Sequence, residues 1–201
     1  MCIRDRFSDI PPVRLLSTPH IADFMTMLLG RAKKTIYAKQ YSMDHTEAFS
    51  MLENAVREGV RNKLVHDRDK FENPSCVMQN DRLRNLAEHA RELGKDEYFQ
   101  LRTMKPKKYG SGGFNSQHSK TWILDDEIYV DGSANLTGQM MKNQESIIVT
   151  RDLSVLEDAL TTFSEVWSEA VEITYDRLLN LPERASSSSG FRRSASVSID
   201  R

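Results

Sequence analysis

Apolar residues recur at helical spacing in several parts of the chain, and short β-branched or aromatic runs separate these parts. The helical patterns cover residues 18–34, 44–59, 83–94 and 154–179. The runs that predict strands are 35–43, 60–67, 98–104, 119–124, 127–130 and 145–150. Because strands alternate with helices, the pattern predicts an α/β domain with a mixed, largely parallel sheet flanked by helices on both faces.

Both ends of the chain lack this periodicity. Residues 1–17 carry Pro11-Pro12 and predict an extended lead-in, and the opening hexapeptide 1–6 resembles translated adapter sequence, which makes an artefactual start one interpretation. Residues 182–201 are Ser-rich and nearly free of large apolar side chains, which predicts a disordered tail. We therefore expect one folded domain over residues 18–181.

Composition narrows the function classes only slightly. The 28 Lys and Arg residues nearly cancel the 29 Asp and Glu residues, so a strongly basic nucleic-acid module is not indicated, although a local patch remains open. Two cysteines are too few for a disulfide framework and favour a reducing compartment. No apolar run reaches the 18 residues of a transmembrane segment. We expect an intracellular protein, cytoplasmic or mitochondrial, whose targeting this N-terminus does not decide.

The candidate chemistry is concentrated late in the chain. His118 and Lys120 are two residues apart on a predicted strand, so both side chains leave the same face. Histidine can attack phosphorus and form a covalent intermediate, and lysine offers a point charge to phosphate oxygens. Ser133 and Asn135 add neutral donors beside Gly132, which lets the backbone come close. These residue types suit chemistry on a phosphodiester.

The same stretch reads H-x-K, four residues, D, six residues and then G-S-x-N. In order and spacing it resembles the signature of the phospholipase D superfamily of phosphodiesterases. The resemblance implies that His118 is a nucleophile that becomes phosphohistidine. It also implies that Lys120 and Asn135 bind the phosphate and that Ser133 assists there.

Two carboxylates complete the predicted site. The resemblance places Asp125 in the catalytic motif, mainly as a structural and electrostatic support. It places Glu145, in the sequence Asn-Gln-Glu, where an acidic residue orients the imidazole in that family. A carboxylate on one ring nitrogen would fix the tautomer and leave the other nitrogen free to attack. We expect no metal and no cofactor, because further metal ligands do not follow at a usable spacing.

A single copy of the motif raises a problem of geometry. In-line displacement puts the nucleophile and the leaving oxygen on opposite sides of phosphorus, so one imidazole cannot serve both. His66-Asp67-Arg68 mimics part of the motif but lacks the lysine and the Gly-Ser turn. We therefore predict a homodimer that shares one active site, with His118 of the second copy as the acid.

The attached substrate is less determined. Small single-motif members that this sequence resembles include bacterial-type endonucleases, which cut single-stranded nucleic acid, and mitochondrial cardiolipin hydrolases. We favour nucleic acid and keep phospholipid hydrolysis as the alternative. A non-catalytic module that binds phosphate or nucleic acid is a second alternative. The segment 105–113, rich in lysine and glycine, fits either a plain surface loop or a mobile lid that binds phosphates.

Overall fold

A computed structural model of the protein describes residues 7–104 and 117–181. Within these residues the helices are α1 (Ile21–Arg31), α2 (Thr46–Glu58), α3 (Arg68–Phe71), α4 (Val77–Glu92), α5 (Leu153–Glu169) and α6 (Tyr175–Leu179). The strands are β1 (Val13–Ser17), β2 (Thr35–Gln40), β3 (Arg61–Asp67), β4 (Phe99–Met104), β5 (Thr121–Leu124), β6 (Ile128–Gly132), β7 (Ser146–Thr150) and β8 (Val171–Glu172).

The described strands form one sheet of eight strands in the order β1-β7-β6-β5-β2-β3-β4-β8. The α/β class and the mixed sheet are confirmed, but the expectation of a largely parallel sheet is wrong. Only β2–β3 and β3–β4 are parallel among the described pairs, and the other neighbours are antiparallel. The reason is that β5 and β6 are joined by a tight turn, which permits antiparallel pairing without a crossover helix.

Helices cover both faces of the sheet, as predicted. On one face, α1, α2 and α4 pack over a core that includes Leu52, Leu64 and Trp122. On the other face, α5 packs Leu156 and Phe163 against a smaller cluster. Fully burying a side chain such as Leu52 contributes roughly 1.5–3 kcal/mol, so the larger core dominates stability.

The predicted lead-in proves to be part of the sheet. Residues 13–17 form β1, which pairs with β7 in antiparallel register, and Phe7 and Ile10 are buried in the main core. Alternation was hard to detect because only Leu16 of this edge strand is buried. The proposed tail 182–201 and the segment 105–113 lie outside the described residues.

Several helix boundaries also differ from the prediction. The expected surface loop 68–79 contains α3 and the beginning of α4. The long helix expected over 154–179 ends at Glu169, because Ala170 is extended and the next two residues pair with β4 as β8. The predicted stop of α2 is confirmed, since Gly59 adopts φ 82°, where a side chain would be strained. No described helix is long and apolar enough to cross a membrane.

Candidate functional site

The predicted site residues gather mainly at one edge of the sheet, which we call the upper edge. Here β2, β3 and β6 end and β5 and β7 begin, as the registers Lys39 to Thr121 and Gly132 to Ile147 require. Parallel strands β2 and β3 deliver their carboxyl ends to this edge, and the antiparallel neighbours return the chain to it. Residues 117–120, which precede β5, therefore lie beside the turn that follows β6.

His118 and Lys120 are in direct contact at the upper edge. The Lys120 Nζ lies 3.0 Å from Nδ1 and 3.3 Å from Nε2 of His118, and it donates to the His118 carbonyl oxygen at 2.7 Å. The imidazole is exposed, whereas Lys120 is only 5% exposed. The exposed His118 ring and the ammonium of Lys120 in contact with it can together bind an anionic substrate from solution.

The surroundings of Lys120 set its charge. Burial lowers the pKa of its ammonium, while the carboxylates of Glu145 and Asp131 act in the opposite direction. The nearby acids thus favour the charged form that a phosphate-binding lysine needs.

Glu145 is tied to Ser133 on the neighbouring turn. The Ser133 hydroxyl donates to Glu145 Oε2, and the Asn143 amide donates to Oε1 at 3.4 Å. The hydroxyl of Thr18 supports this segment, since it donates to the Asn143 carbonyl oxygen at 3.0 Å and accepts from the Glu145 N–H at 3.4 Å. The hydrogen bond predicted between Glu145 and His118 is not among the described contacts. In this structure the Glu145 carboxylate accepts a hydrogen bond from the Ser133 hydroxyl and so fixes the position of that side chain.

Gly132 explains how Ser133 reaches this position. A Cβ at residue 132 would lie 2.2 Å from the Ser146 carbonyl oxygen, a distance that real side chains do not tolerate. The close approach lets the Ser133 N–H donate to that oxygen at 3.0 Å. Asn135 follows in the same turn and is half-buried, and its Oδ1 has no hydrogen-bond partner among the described residues. Its predicted role in phosphate binding stays a prediction.

Asp125 lies at the opposite end of β5, away from His118. Its buried carboxylate accepts hydrogen bonds from the N–H groups of Lys33, Lys34 and Thr35, at 2.7–3.0 Å. Asp125 thereby satisfies the backbone donors where the chain enters β2. Its assignment to the catalytic set is not supported by this position, and the supporting role implied by the resemblance fits it.

The partial motif at His66 does not supply a second catalytic histidine. Its side chain is 0% exposed, and neither ring nitrogen has a hydrogen-bond partner among the described residues. Burial lowers the pKa of His66 to about 4, so the ring stays neutral near pH 7. A buried neutral imidazole inside the sheet cannot protonate a leaving group at the exposed upper edge.

The structure places Tyr41 and Lys70 beside the predicted site, and the sequence analysis assigned neither residue to it. The ring centroid of Tyr41 lies 4.7 Å from that of His118, and the ammoniums of Lys120 and Lys70 lie 5.5 and 4.9 Å from the Tyr41 ring. The only available signal was that Tyr41 lies near the end of the predicted strand 35–43. Among the described residues, no group of three or more His, Cys, Asp or Glu side chains is placed to hold a metal ion.

Comparison of the chain with known proteins identifies its family. The family described as "Cardiolipin synthase, PLD-like domain" matches residues 25–167. That range contains His118, Lys120, Ser133, Asn135 and Glu145. A search of curated proteins found no match.

Solved structures with a similar fold come from several bacteria. The phospholipase D family member Nuc from Salmonella typhimurium is 21% identical, with a TM-score of 0.65 over 80% of this chain and 97% of Nuc. NucT from Helicobacter pylori is 17% identical, with a TM-score of 0.68 over 80% of this chain and 98% of NucT. Phosphatidylserine synthase from Haemophilus influenzae is 12% identical, with a TM-score of 0.65 over 84% of this chain and 42% of that protein. The chain therefore belongs to the phospholipase D superfamily and is a phosphodiester-acting enzyme of that group.

Proposed function

We propose that this protein is a metal-independent phosphodiesterase that cleaves single-stranded nucleic acid through a phosphohistidine on His118. One observation carries the proposal: the exposed His118 imidazole is in contact with the Lys120 ammonium at an open edge of the sheet. A nucleophile and a fixed positive charge in contact can engage one phosphate together.

The reaction proceeds in two displacements. A ring nitrogen of His118 attacks phosphorus, the phosphorus–nitrogen bond forms, and the bond to the leaving oxygen breaks. Lys120 stabilises the negative charge on the non-bridging oxygens during this step. Water then attacks the phosphohistidine, the phosphorus–nitrogen bond breaks, and the imidazole is released. Ser133 donates its one hydroxyl proton to Glu145 in this structure, so in the proposed reaction the hydroxyl turns from Glu145 to a non-bridging oxygen of the phosphate.

The leaving oxygen must receive a proton on the side opposite to the attacking nitrogen. His66 is buried and is not able to do so. His118 of a second copy of the chain is the acid in our proposal, so the active enzyme is a homodimer. An uncovered apolar surface supports this assembly: Leu15 and Ile148 are register partners on β1 and β7, they are 68% and 51% exposed, and both lie on the face that carries α5.

The surroundings of Tyr41 favour nucleic acid as the substrate. An aromatic ring beside the reactive histidine suits stacking of a base, and the nearby Lys70 suits a further phosphate of the same strand. The description of the matching family, which names cardiolipin synthase, favours the alternative of a phospholipid substrate. Both substrates present a phosphodiester to His118 and differ only in the groups attached to it.

A substrate panel tests this proposal. Purified protein in excess chelator is incubated with single-stranded DNA, RNA and cardiolipin vesicles, and His118→Asn serves as the inactive background. We expect cleavage of single-stranded DNA or RNA above that background. Turnover of cardiolipin alone would replace the proposed substrate. Activity that disappears in chelator would contradict the metal-independent mechanism. Binding without turnover, equal in the variant, would indicate a non-catalytic module.

The assembly has its own test. Ile148→Lys places a charge on the exposed face of β7, two residues from the Ser146 that begins this strand. Light scattering should give a dimer for the native protein and a monomer for the variant, with turnover lost together with the dimer. Leu93→Lys, at an exposed apolar residue directly after α4 on the other face of the sheet, is a control for the same added charge. A fully active monomer would contradict the shared site.

A further inference from the structure

We propose that Asp67 and Gln117 are positioning residues that hold the backbone on both sides of His118 for attack. This inference rests on the proposed role of His118 and adds the residues that fix its place. Neither residue belongs to the motif that the sequence presents, and neither touches the phosphate in the proposed mechanism.

The segment that carries His118 is not part of the sheet ladder. The pairing of β5 with β2 begins at Thr121, and its pairing with β6 begins at Trp122. His118 precedes both by at least three positions, and residues 117–120 have no regular secondary structure. A catalytic side chain on such a segment needs other contacts to define its position.

Two side chains supply those contacts. Asp67 Oδ2 accepts a hydrogen bond from the Gln117 N–H at 2.7 Å, and Gln117 Oε1 accepts from the Ser119 N–H at 2.9 Å. The bonds fix the amide before His118 and the amide after it. Asp67 is 1% exposed and Gln117 is 6% exposed, so water competes little for either bond.

Asp67 uses its second oxygen on a different element. Its Oδ1 accepts from the Lys70 N–H at 3.0 Å and caps α3. One buried carboxylate therefore joins the end of β3, the first turn of α3 and the His118 segment. Asparagine at this position has a single acceptor, so Asp67→Asn must give up one of the two bonds and turn an N–H donor toward another donor. The requirement for two acceptors explains why a carboxylate is present.

Gln117 allows the two roles of Asp67 to be separated. Its Nε2 has no hydrogen-bond partner among the described residues, so Oε1 is the part of this side chain that the structure uses. Gln117→Leu removes the acceptor for the Ser119 N–H and leaves the cap of α3 in place. Loss of either anchor frees the backbone at His118, and misplacement of about 1 Å can lower a rate about 100-fold.

The experiment compares Asp67→Asn and Gln117→Leu with Asp152→Ala. Asp152 caps α5 after the end of β7 that is remote from the upper edge, and it makes no described contact with residues 117–120, so its variant controls for general destabilisation. Turnover of bis(4-nitrophenyl) phosphate gives kcat and KM at 25 °C, and the His118 ring proton is followed by NMR after assignment with His118→Asn. We expect kcat to fall 10- to 100-fold in both anchor variants, with KM changed less than threefold and the His118 resonance shifted or broadened.

Native kcat and an unchanged His118 resonance in the anchor variants would overturn the inference, as would an equal loss of kcat in Asp152→Ala. If Asp67→Asn does not fold, Gln117→Leu decides alone. The NMR signal separates this inference from the proposed function. If His118→Asn turns over the substrate as fast as the native protein, the proposed function fails, and the resonance still reports whether the anchors hold the ring.

Discussion

The two ends of β5 are built in contrasting ways, although one short motif supplies residues to both. At the upper edge, the exposed His118 and its contact Lys120 precede the strand in a segment held by the side chains of Asp67 and Gln117. At the lower edge, Asp125 is buried and its carboxylate is occupied by backbone N–H groups. The first end is open to a substrate, and the second is closed by its own hydrogen bonds.

This contrast separates chemistry from support within one motif. At about 3.3 Å per residue, Lys120 and Asp125 are roughly 16 Å apart along the strand, too far for both to contact one phosphate. The four residues between Lys120 and Asp125 form β5, so the length of this strand sets the distance between the two side chains. Substitutions at the upper edge should lower activity and leave stability nearly unchanged, whereas substitution of Asp125 should lower stability and leave activity nearly unchanged.

The largest expected effect is on turnover, at the upper edge. His118→Asn removes the nucleophile and keeps a polar side chain of similar size, so we expect kcat to fall about 10⁴-fold or more. The thermal midpoint should change little, since the ring is exposed and packs mainly against Tyr41. Steady-state kinetics and thermal unfolding on the same sample check this. Residual activity within tenfold of the native protein would remove the distinction between the two ends.

The opposite result is expected at the lower edge. Asp125→Ala leaves three backbone N–H groups without their acceptor, and this should cost about 3 kcal/mol of folding free energy. Urea unfolding measures the loss. Below the unfolding transition, kcat should remain within about twofold of the native value, because Asp125 makes no contact with His118. Asp126→Ala, at the exposed neighbour, is the matched control. A large fall in kcat for folded Asp125→Ala would show that the carboxylate acts on the site.

The contrast also shows which parts of the molecule were readable from the sequence. The sequence predicts that His118, Lys120 and Ser133 form one site, because their spacing is short and their chemistry is distinctive, and all three lie at the upper edge. The α/β class followed from periodicity, since helices such as α2 bury every third or fourth residue. Both signals are local, and the fold preserves them.

Long-range features were not readable in this way. The antiparallel course of β5, β6 and β7 depends on strand order, which periodicity does not contain. β1 was missed because an edge strand with a single buried residue lacks an alternating pattern. Asp67 and Gln117 are fifty positions apart, and only the finished sheet brings them together. The hydrogen bond from Ser133 to Glu145 was not foreseen for a related reason, since only the folded sheet brings the two turns that carry them together.

A histidine inside the sheet gives a test of intermediate size. His66 is near the upper edge, as His118 is, but it is buried and its pKa is lowered to about 4 from an ordinary value of 6.5. Between about pH 4 and pH 6.5, His66 is therefore protonated in the unfolded chain and neutral in the folded chain. The stability that this group contributes is fully present above pH 6.5 and is lost as the pH falls toward 4. At pH 5 the loss is about 2 kcal/mol.

Removal of the buried ring should therefore reduce acid sensitivity. For His66→Leu, urea unfolding at pH 7 and pH 5 should show a decrease in stability about 2 kcal/mol smaller than in the native protein. His20→Gln, at an exposed histidine, should retain the native decrease. An acid loss in His66→Leu as large as in the native protein would indicate that other groups cause it. The buried histidine at this edge would then be irrelevant to the pH response.

The smallest expected effect concerns Tyr41, which directly follows β2 at the upper edge. At the other end of the same strand, the Thr35 N–H donates to Asp125. The ring contacts His118 and lies near the ammoniums of Lys70 and Lys120. Tyr41→Phe keeps these contacts and should leave kcat/KM on single-stranded DNA within twofold. Tyr41→Ala removes them, and a loss of about 1 kcal/mol corresponds to a fall of about fivefold.

The substrate decides what that loss means. If the Tyr41 ring stacks against a base, Tyr41→Ala should lower kcat/KM on single-stranded DNA and leave kcat/KM on bis(4-nitrophenyl) phosphate nearly unchanged. If the ring instead holds Lys120 and His118 in place, both substrates should lose the same factor. An unchanged kcat/KM on both substrates would show that Tyr41 has no part in the site, which would then consist of His118, Lys120 and the residues that anchor their backbone. The ratio of the two losses thus measures how far the site extends from the motif toward the group attached to the phosphate.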